Sequence, residues 1–202
     1  MFNNKPDYDK VIEDFKRMSS GRIRRQIRNV LKLLNLQQKE TILEVGVATG
    51  KFTSFMTKHN SCFALDISHK NLIKAKSVVI ERGNVMNLFC VAGTCAAIPF
   101  AAESFDKITA IDIIEHVNDK TFLEFCREAH RVLKKGGSFF IYTPNLLHPF
   151  ELSRPLRPVI RAEHIGVRNR RKICSFLKEE NFLIRKNYFD NCFRRISIEA
   201  VK

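Results

Sequence analysis

The feature that most constrains the fold is a regular alternation of short β-rich runs with helical runs, which starts at residue 41. The β-rich runs cover residues 41–45, 62–66, 85–92, 105–113 and 138–143, and helical patterns separate most of them. Parallel strands need a crossover connection, which is usually a helix. The alternation therefore predicts an α/β fold, in which a doubly wound and mainly parallel sheet carries helices on both faces.

The flanks of this alternation predict three further parts of the chain. Residues 1–40 read as an N-terminal helical extension whose second half has an apolar stripe beside a basic one, and residues 41–202 form the main domain. A proline-rich stretch after Thr143 is incompatible with a regular helix or central strand, and we expect a lid insertion at about 146–167. A helical run and two β-like runs, 183–189 and 193–201, end the chain.

Length and composition agree with one globular domain. A chain of 202 residues with 45% hydrophobic residues can bury a proper core, and no run is apolar and long enough to predict a membrane span. No basic patch followed by an apolar stretch opens the sequence, so we expect a cytoplasmic protein. The six cysteines show no zinc-finger spacing and several lie in apolar runs, where a reduced cysteine acts as a small hydrophobe.

The net charge of +14 is unevenly distributed along the sequence. Residues 1–40 carry +5, residues 41–150 carry +2 and residues 151–202 carry +7. A nearly neutral centre with basic flanks leaves three kinds of partner open: nucleic acid, an anionic membrane surface and an anionic small molecule. Basic clusters at 22–25 and 168–172 are typical of solvated faces, and nucleic acid is the less favoured partner because no aromatic-flanked motif accompanies them.

A glycine-rich loop follows the first predicted strand and indicates a nucleoside-containing ligand. In the segment from Glu44 to Gly50, small residues alternate with larger ones, which lets the backbone turn tightly beside a ligand. A dinucleotide fingerprint would place its third glycine at Lys51, so NAD is disfavoured. Asp66 ends the second predicted strand, where a carboxylate can accept both ribose hydroxyls, although such a residue can also serve a turn.

Five sequence blocks, taken in their order along the chain, resemble the class I S-adenosylmethionine-dependent methyltransferases. The resemblance is to the branch that includes the small-molecule methyltransferases of quinone biosynthesis. The blocks are the Glu44 loop, Asp66, and the segments 93–100, 104–108 together with 113–117, and 131–137. The resemblance implies a Rossmann-like, seven-stranded sheet with an antiparallel C-terminal strand. It also implies S-adenosylmethionine as cofactor and methyl transfer as the activity.

The resemblance assigns the cofactor contacts residue by residue. The methionine moiety would be held by Glu44 and the loop, the ribose by Asp66, and the adenine by Ile67 and the segment at Thr94. The expected cofactor-binding residues are Glu44, Gly46, Ala48, Gly50, Asp66, Ile67, Thr94, Cys95 and Asp112. Two of these depart from the family pattern, which has glycine at Ala48 and aspartate at Thr94; a threonine can accept the adenine amino group only through its hydroxyl.

The candidate segment for binding the methyl acceptor is Asp112-Ile113-Ile114-Glu115-His116, at the carboxyl end of the fourth predicted strand. His116 could act as a general base because an unperturbed histidine titrates near neutral pH. Alternatively, Asp112, Glu115 and His116 resemble the acidic-x-x-Glu-His metal site of ubiquinone-pathway O-methyltransferases, which implies a divalent cation such as Mg²⁺. A purely structural role for this segment is the third reading.

These observations predict a methyltransferase that acts on a small, lipophilic or anionic acceptor, as a monomer or homodimer. The predicted lid mixes apolar residues with Arg154, Arg157 and Arg161, and Glu163-His164 near its end is a candidate for the pocket wall. No N/D-P-P-Y/F signature occurs after the fourth strand, which weakens a nucleic-acid amino-methyltransferase. An RNA methyltransferase and a non-catalytic cofactor-binding module are the alternatives.

Overall fold

The computed structural model describes residues 21–83, 87–153, 164–190 and 193–202. Its strands are β1 (Thr41–Val45), β2 (Ser61–Asp66), β3 (Leu88–Ala92), β4 (Phe105–Ile111), β5 (Leu133–Pro144), β6 (Leu183–Asp190) and β7 (Arg195–Val201). Its helices are α1 (Gly21–Leu34), α2 (Thr53–Met56), α3 (His69–Ile80), α4 (Asp119–Val132), α5 (Pro149–Leu152) and α6 (Arg170–Glu179). The alternation predicted from the sequence is confirmed.

The strands form one seven-stranded sheet in the order β3-β2-β1-β4-β5-β7-β6. β1 to β5 are mutually parallel, and β7 runs antiparallel to both of its neighbours, β5 and β6. This is the predicted Rossmann-like topology with its antiparallel C-terminal strand. The chain leaves β1 toward β2 on one side, whereas β4 lies on the other, so the switch point of the sheet lies between β1 and β4.

Alternating side chains of the strands divide the core into two layers. On one face, α1 and α2 pack against Ile42 of β1 and Phe140 and Tyr142 of β5. On the other face, Leu43 and Val45 belong to the cluster that includes α4 and α6. This period of two follows from the pleat of a strand whose two faces are both covered.

Helix α1 is held on the sheet by the apolar stripe that the sequence predicts. Ile27, Val30 and Leu34 are buried, whereas Arg28 and Lys32 face solvent. Because α1 shares a core cluster with β1, β4 and β5, this part of the expected extension packs directly on the sheet. The expected helical pattern before residue 21 lies outside the described residues.

The proline-rich segment contains one element that the sequence analysis excluded. Residues Pro149–Leu152 form a single turn of helix, with Pro149 in its first turn. Proline is tolerated there because its missing N–H has no partner within the helix anyway. The expected lid at 146–167 stays a prediction, since residues 154–163 lie outside the part of the chain that the structure describes.

Candidate cofactor and acceptor site

The candidate site lies at the carboxyl edge of the sheet, around the switch point between β1 and β4. In open α/β sheets, ligands bind in the crevice that forms where neighbouring strands are followed by connections on opposite faces. Here the loop after β1, the end of β2 and the segment after β4 meet at this edge. The topology therefore gathers the residues that the sequence singled out.

The loop after β1 has the left-handed backbone that its small residues allow. Gly46, Ala48 and Gly50 have φ values of +76°, +46° and +70°. A Cβ on Gly46 would lie 2.8 Å from the side chain of Ile113, and a Cβ on Gly50 would lie 2.6 Å from the Cα of Ala75. Ala48 adopts this conformation despite its Cβ, at a cost of roughly 1 kcal/mol. The loop is thus closely packed between the segment after β4 and helix α3.

Glu44 is a buried carboxyl beneath this loop. Its side chain accepts a hydrogen bond from the hydroxyl of Thr53, at the start of α2. Burial raises the pKa of Glu44 from 4.5 to about 8, against the opposing effects of Thr53 and the nearby Lys51 ammonium. At neutral pH the carboxyl is therefore mainly protonated in this structure, and a cationic ligand would favour its ionisation.

Asp66 lies at the end of β2 and connects the β1 loop with the β2 loop. Its carboxylate accepts hydrogen bonds from the backbone N–H of Ala48 at 3.1 Å and of Ser68 at 2.8 Å. The Asn71 amide nitrogen lies 3.2 Å from both carboxylate oxygens. The two backbone bonds fix the orientation of the carboxylate, and the Asn71 amide contacts both oxygens as a pair of vicinal hydroxyls would.

The residues expected around adenine differ in accessibility. Ile67 directly follows Asp66 and is 82% exposed. Thr94 is exposed as well, and its hydroxyl accepts from the backbone N–H of Ala96 at 3.3 Å. Cys95 is buried in the core that α4 covers, so its side chain is unavailable to a ligand and only its backbone can face one.

Asp112 follows β4 in a left-handed conformation, with φ +54°. Its carboxylate forms an ion pair with Arg195 of β7 and accepts a hydrogen bond from the Gln26 amide of α1 at 3.0 Å. The Lys51 ammonium donates to the Gln26 side-chain oxygen at 3.4 Å. Sequence reasoning missed Gln26 and Arg195 as partners of Asp112, because contacts across 86 and 83 residues leave no local pattern.

Glu115 and His116 lie on a single 3₁₀ turn, Ile114–His116, after β4. The buried Glu115 accepts from the Thr143 hydroxyl at 3.0 Å, and burial, reinforced by the Asp112 charge, raises its pKa from 4.5 to about 8. His116 is exposed, and its ring centroid lies 4.9 Å from that of His164, with the rings nearly perpendicular. Candidate ligand atoms of Glu115, His116 and His164 lie within 4.8 Å of one another.

Among the described residues, this grouping differs from the predicted set of Asp112, Glu115 and His116. The carboxylate of Asp112 is engaged by Arg195 and Gln26, and His164 takes its place beside the other two residues. His164 lies at the end of the expected lid, and from the sequence it is only a candidate for the pocket wall. The set combines two imidazoles with one carboxyl group.

Arg168 joins the segment after β4 to the segment around His164. Its guanidinium donates to the backbone carbonyls of Ile114 at 2.7 Å and Val117 at 2.9 Å, and it pairs with Asp119 at 2.9 Å. The side chain is only 2% exposed. The interpretation of residues 168–172 as one solvated basic cluster is therefore wrong for Arg168, which is a buried link between two loops.

The family described as "Methyltransferase domain" matches residues 43–141. The demethylmenaquinone methyltransferase of Listeria welshimeri is 26% identical over 114 residues, which are 54% of this chain and 47% of that protein. The ubiquinone biosynthesis O-methyltransferase of Idiomarina loihiensis is 29% identical over 126 residues, which are 61% of this chain and 49% of that protein. The matches thus span about half the length of these curated relatives.

Solved structures share the fold over nearly the whole chain. A protein from Pyrococcus horikoshii has a TM-score of 0.75 at 18% identity, and the match covers 98% of this chain and 99% of that one. A SAM-dependent methyltransferase from Aquifex aeolicus has a TM-score of 0.72 at 18% identity, with 97% of this chain and 98% of that one covered. The strand order, together with the switch point between β1 and β4, places the protein in the class of Rossmann-like α/β proteins. Within that class, the chain belongs to the class I S-adenosylmethionine-dependent methyltransferases.

Membership of this family implies S-adenosylmethionine as the cofactor. The predicted family and cofactor are confirmed at that level. In the part of the chain that the structure describes, no helix has the length and apolarity that a membrane span requires.

Proposed function

We propose that the protein transfers a methyl group from S-adenosylmethionine to a small molecule. The observation that carries this proposal is the exposed Ile67 beside the buried and oriented carboxylate of Asp66, next to a left-handed loop. An apolar face, a hydrogen-bond acceptor and accessible backbone are the three surfaces that a nucleoside with a charged tail needs. These residues fit the cofactor that the family implies.

Each of these residues has a defined task in the proposed complex. Asp66 accepts from the ribose hydroxyls, with Asn71 giving up its contact, and Ile67 and the Thr94 segment contact the adenine. The loop from Gly46 to Gly50 contacts the methionine moiety. When bound, S-adenosylmethionine supplies an electrophilic methyl group on a sulfonium. The protein's own contribution is to orient the acceptor and exclude water.

His116 is the proposed general base for the acceptor. It is exposed at the carboxyl edge of the sheet, four residues after Asp112, which has a left-handed backbone. An imidazole there can accept a proton from an acceptor hydroxyl or amine as the new bond to carbon forms. The two curated relatives act, by their names, in menaquinone and ubiquinone formation, which supports a small acceptor.

As an alternative to His116 as a general base, we propose a divalent cation at the acceptor side, with Glu115, His116 and His164 as its ligands and Asp112 as a neighbouring charge. The proximity of the three ligand groups supports it. Two imidazoles and one carboxylate suit Mn²⁺, Fe²⁺ or Zn²⁺ better than Mg²⁺, which prefers an all-oxygen shell. A cation there would lower the pKa of an acceptor hydroxyl and orient it.

Calorimetry with S-adenosylhomocysteine tests the cofactor site. Ile67→Ser should weaken binding about tenfold, since it removes about 1.4 kcal/mol of apolar contact. Ile73→Ser is a matched control, because Ile73 is also a strongly exposed isoleucine, 70% accessible, but lies on α3. Equal affinities in the two variants, or no binding by the wild-type protein, would remove the proposal.

Labelled S-adenosylmethionine with fractionated cell extract tests the transfer itself. Label in a small-molecule or lipid fraction supports the proposal. Label in RNA, with an affinity that falls steeply with salt, identifies an RNA methyltransferase instead. Cofactor binding without transfer to any fraction identifies a non-catalytic module.

A further inference from the structure

A groove beside the candidate acceptor site has no assigned role. It lies between helix α1 and the edge strand β6 and has a volume of about 460 Å³. Its lining consists of Asn29, Lys32, Leu33, Lys186, Tyr188, Phe189 and Asp190. That volume is in the range of small-molecule sites, which are roughly 300–1,000 Å³.

The inner end of this groove is connected to the acceptor site by a chain of polar contacts. Asp190 accepts from the Tyr142 hydroxyl at 2.9 Å and from the Asn29 amide at 3.0 Å. The Arg195 guanidinium lies 5.6 Å from the centre of the Tyr142 ring and pairs with Asp112. The groove therefore starts at the carboxyl edge, beside the residues after β4, and extends along the sheet face.

The walls and the outer end of the groove differ in chemistry. Leu33 and Tyr188 give it an apolar and aromatic surface, and Tyr188 is 48% exposed. The outer part carries two cations, Lys32 from α1 and Lys186 from β6, both exposed. Lys186 also lies 3.6 Å from a Glu199 oxygen. The lining thus has a carboxylate at its inner end, a tyrosine ring in the middle and ammonium groups outside.

We propose that this groove binds the non-reacting part of the acceptor, and that the acceptor is an elongated molecule with an apolar or aromatic body and an anionic group at its far end. The inference rests on the proposed methyl transfer. Complementarity orients the ligand: its anion meets Lys32 and Lys186, its body packs on Tyr188, and a polar group other than the methyl-accepting one faces Asp190. A neutral molecule of the same shape lacks the outer contact and binds more weakly.

The groove can be tested without knowing the acceptor, using the fluorescent probe 8-anilinonaphthalene-1-sulfonate, which has an aromatic body and one anionic group. Titrations are done with saturating S-adenosylhomocysteine, so the cofactor site is closed to the probe. The double variant Lys32→Glu/Lys186→Glu should bind the probe at least about tenfold more weakly. The matched control Lys74→Glu changes an exposed lysine on α3 and should bind it as the wild type does.

A second pair of measurements separates the contribution of the two lysines to probe binding from that of the apolar wall. The neutral analogue N-phenyl-1-naphthylamine should bind the wild type more weakly than the sulfonate does, and equally in wild type and double variant. Tyr188→Ser should weaken both probes, while far-UV circular dichroism stays unchanged. The inference is overturned if the sulfonate binds the double variant with wild-type affinity, or if the neutral analogue binds the wild type as tightly.

Failure of this inference is distinguishable from failure of the proposed function. Probe titration without cofactor still reports on the groove when the protein does not bind S-adenosylhomocysteine at all. Conversely, if the double variant binds both the cofactor and the probe as the wild type does, only the proposed role of the groove is refuted.

Discussion

Replacement of Glu44 by glutamine should make the folded protein more stable at alkaline pH. The Glu44 side chain is nearly inaccessible, at 2% exposure, and burial raises its pKa from 4.5 to about 8. Glutamine has the same shape and can still accept a hydrogen bond from Thr53, but it has no charge to bury. The comparison of Glu44→Gln with the wild type therefore isolates the cost of ionising this buried group.

The sign and size of the effect follow from proton linkage. Between pH 4.5 and about 8, the unfolded chain has lost the Glu44 proton while the folded protein keeps it. The folded state then binds more protons, so the free energy of unfolding falls as pH rises through this window and levels off above it. At about 1.4 kcal/mol per pH unit, the whole window corresponds to at most about 5 kcal/mol.

Equilibrium urea unfolding at pH 5, 7 and 8.5 measures this difference. Near pH 5 the two proteins should have nearly the same free energy of unfolding, whereas at pH 8.5 the variant should be more stable by about 2 to 5 kcal/mol. Glu81→Gln, at an exposed position after α3, is the matched control and should follow the wild type. If the wild-type and Glu44→Gln values run parallel across the three pH values, the buried-carboxyl argument is refuted.

Three further substitutions test the loop, the buried arginine and the cation. Gly50→Ala should cost about 2 kcal/mol of stability, since the new Cβ would lie 2.6 Å from backbone, whereas Gly83→Ala, at a similar φ but with nothing within 4 Å, should cost only about 1 kcal/mol. Arg168→Met should cost about 3 kcal/mol or more in urea unfolding because several carbonyls lose their donor, and Arg171→Met, at an exposed position, should cost little. His164→Ala should weaken Mn²⁺ binding at least about tenfold in calorimetry; equal affinity would remove His164 from the ligand set.

The fold was predictable because its signal is local and repeated. The buried parallel strands are short apolar runs, and the longer crossover helices, α3 and α4, are amphipathic, so both patterns can be read within a few residues. Besides the helical turn at Pro149–Leu152, the differences in the fold are at the boundaries of strands. β5 begins at Leu133 rather than at 138, because Leu133 pairs with Phe105 before a register shift. β3 begins at Leu88, where its pairing with Cys62 starts.

The residues of the candidate site were predictable only where a single short segment contains the whole pattern. The loop after β1 and the end of β2 were found because glycine spacing and a strand-final aspartate have direct consequences for the backbone. Arg195, Gln26 and His164 were not identified as partners, because their roles arise from pairing between segments that are distant in sequence. No composition or periodicity distinguishes such an arginine from a solvated one.

The structure also changes what the net charge of +14 implies. Several cations of the basic C-terminal flank are committed to the protein itself: Arg168 is buried among carbonyls, and Arg195 neutralises Asp112. Such groups cannot contribute to a general attraction for polyanions, because their charge is compensated and their donors are used. Lys32 and Lys186, the second of which also lies 3.6 Å from a Glu199 oxygen, line one groove near the site. Local placement of two ammonium groups, more than total charge, therefore points to an acceptor with a discrete anionic end.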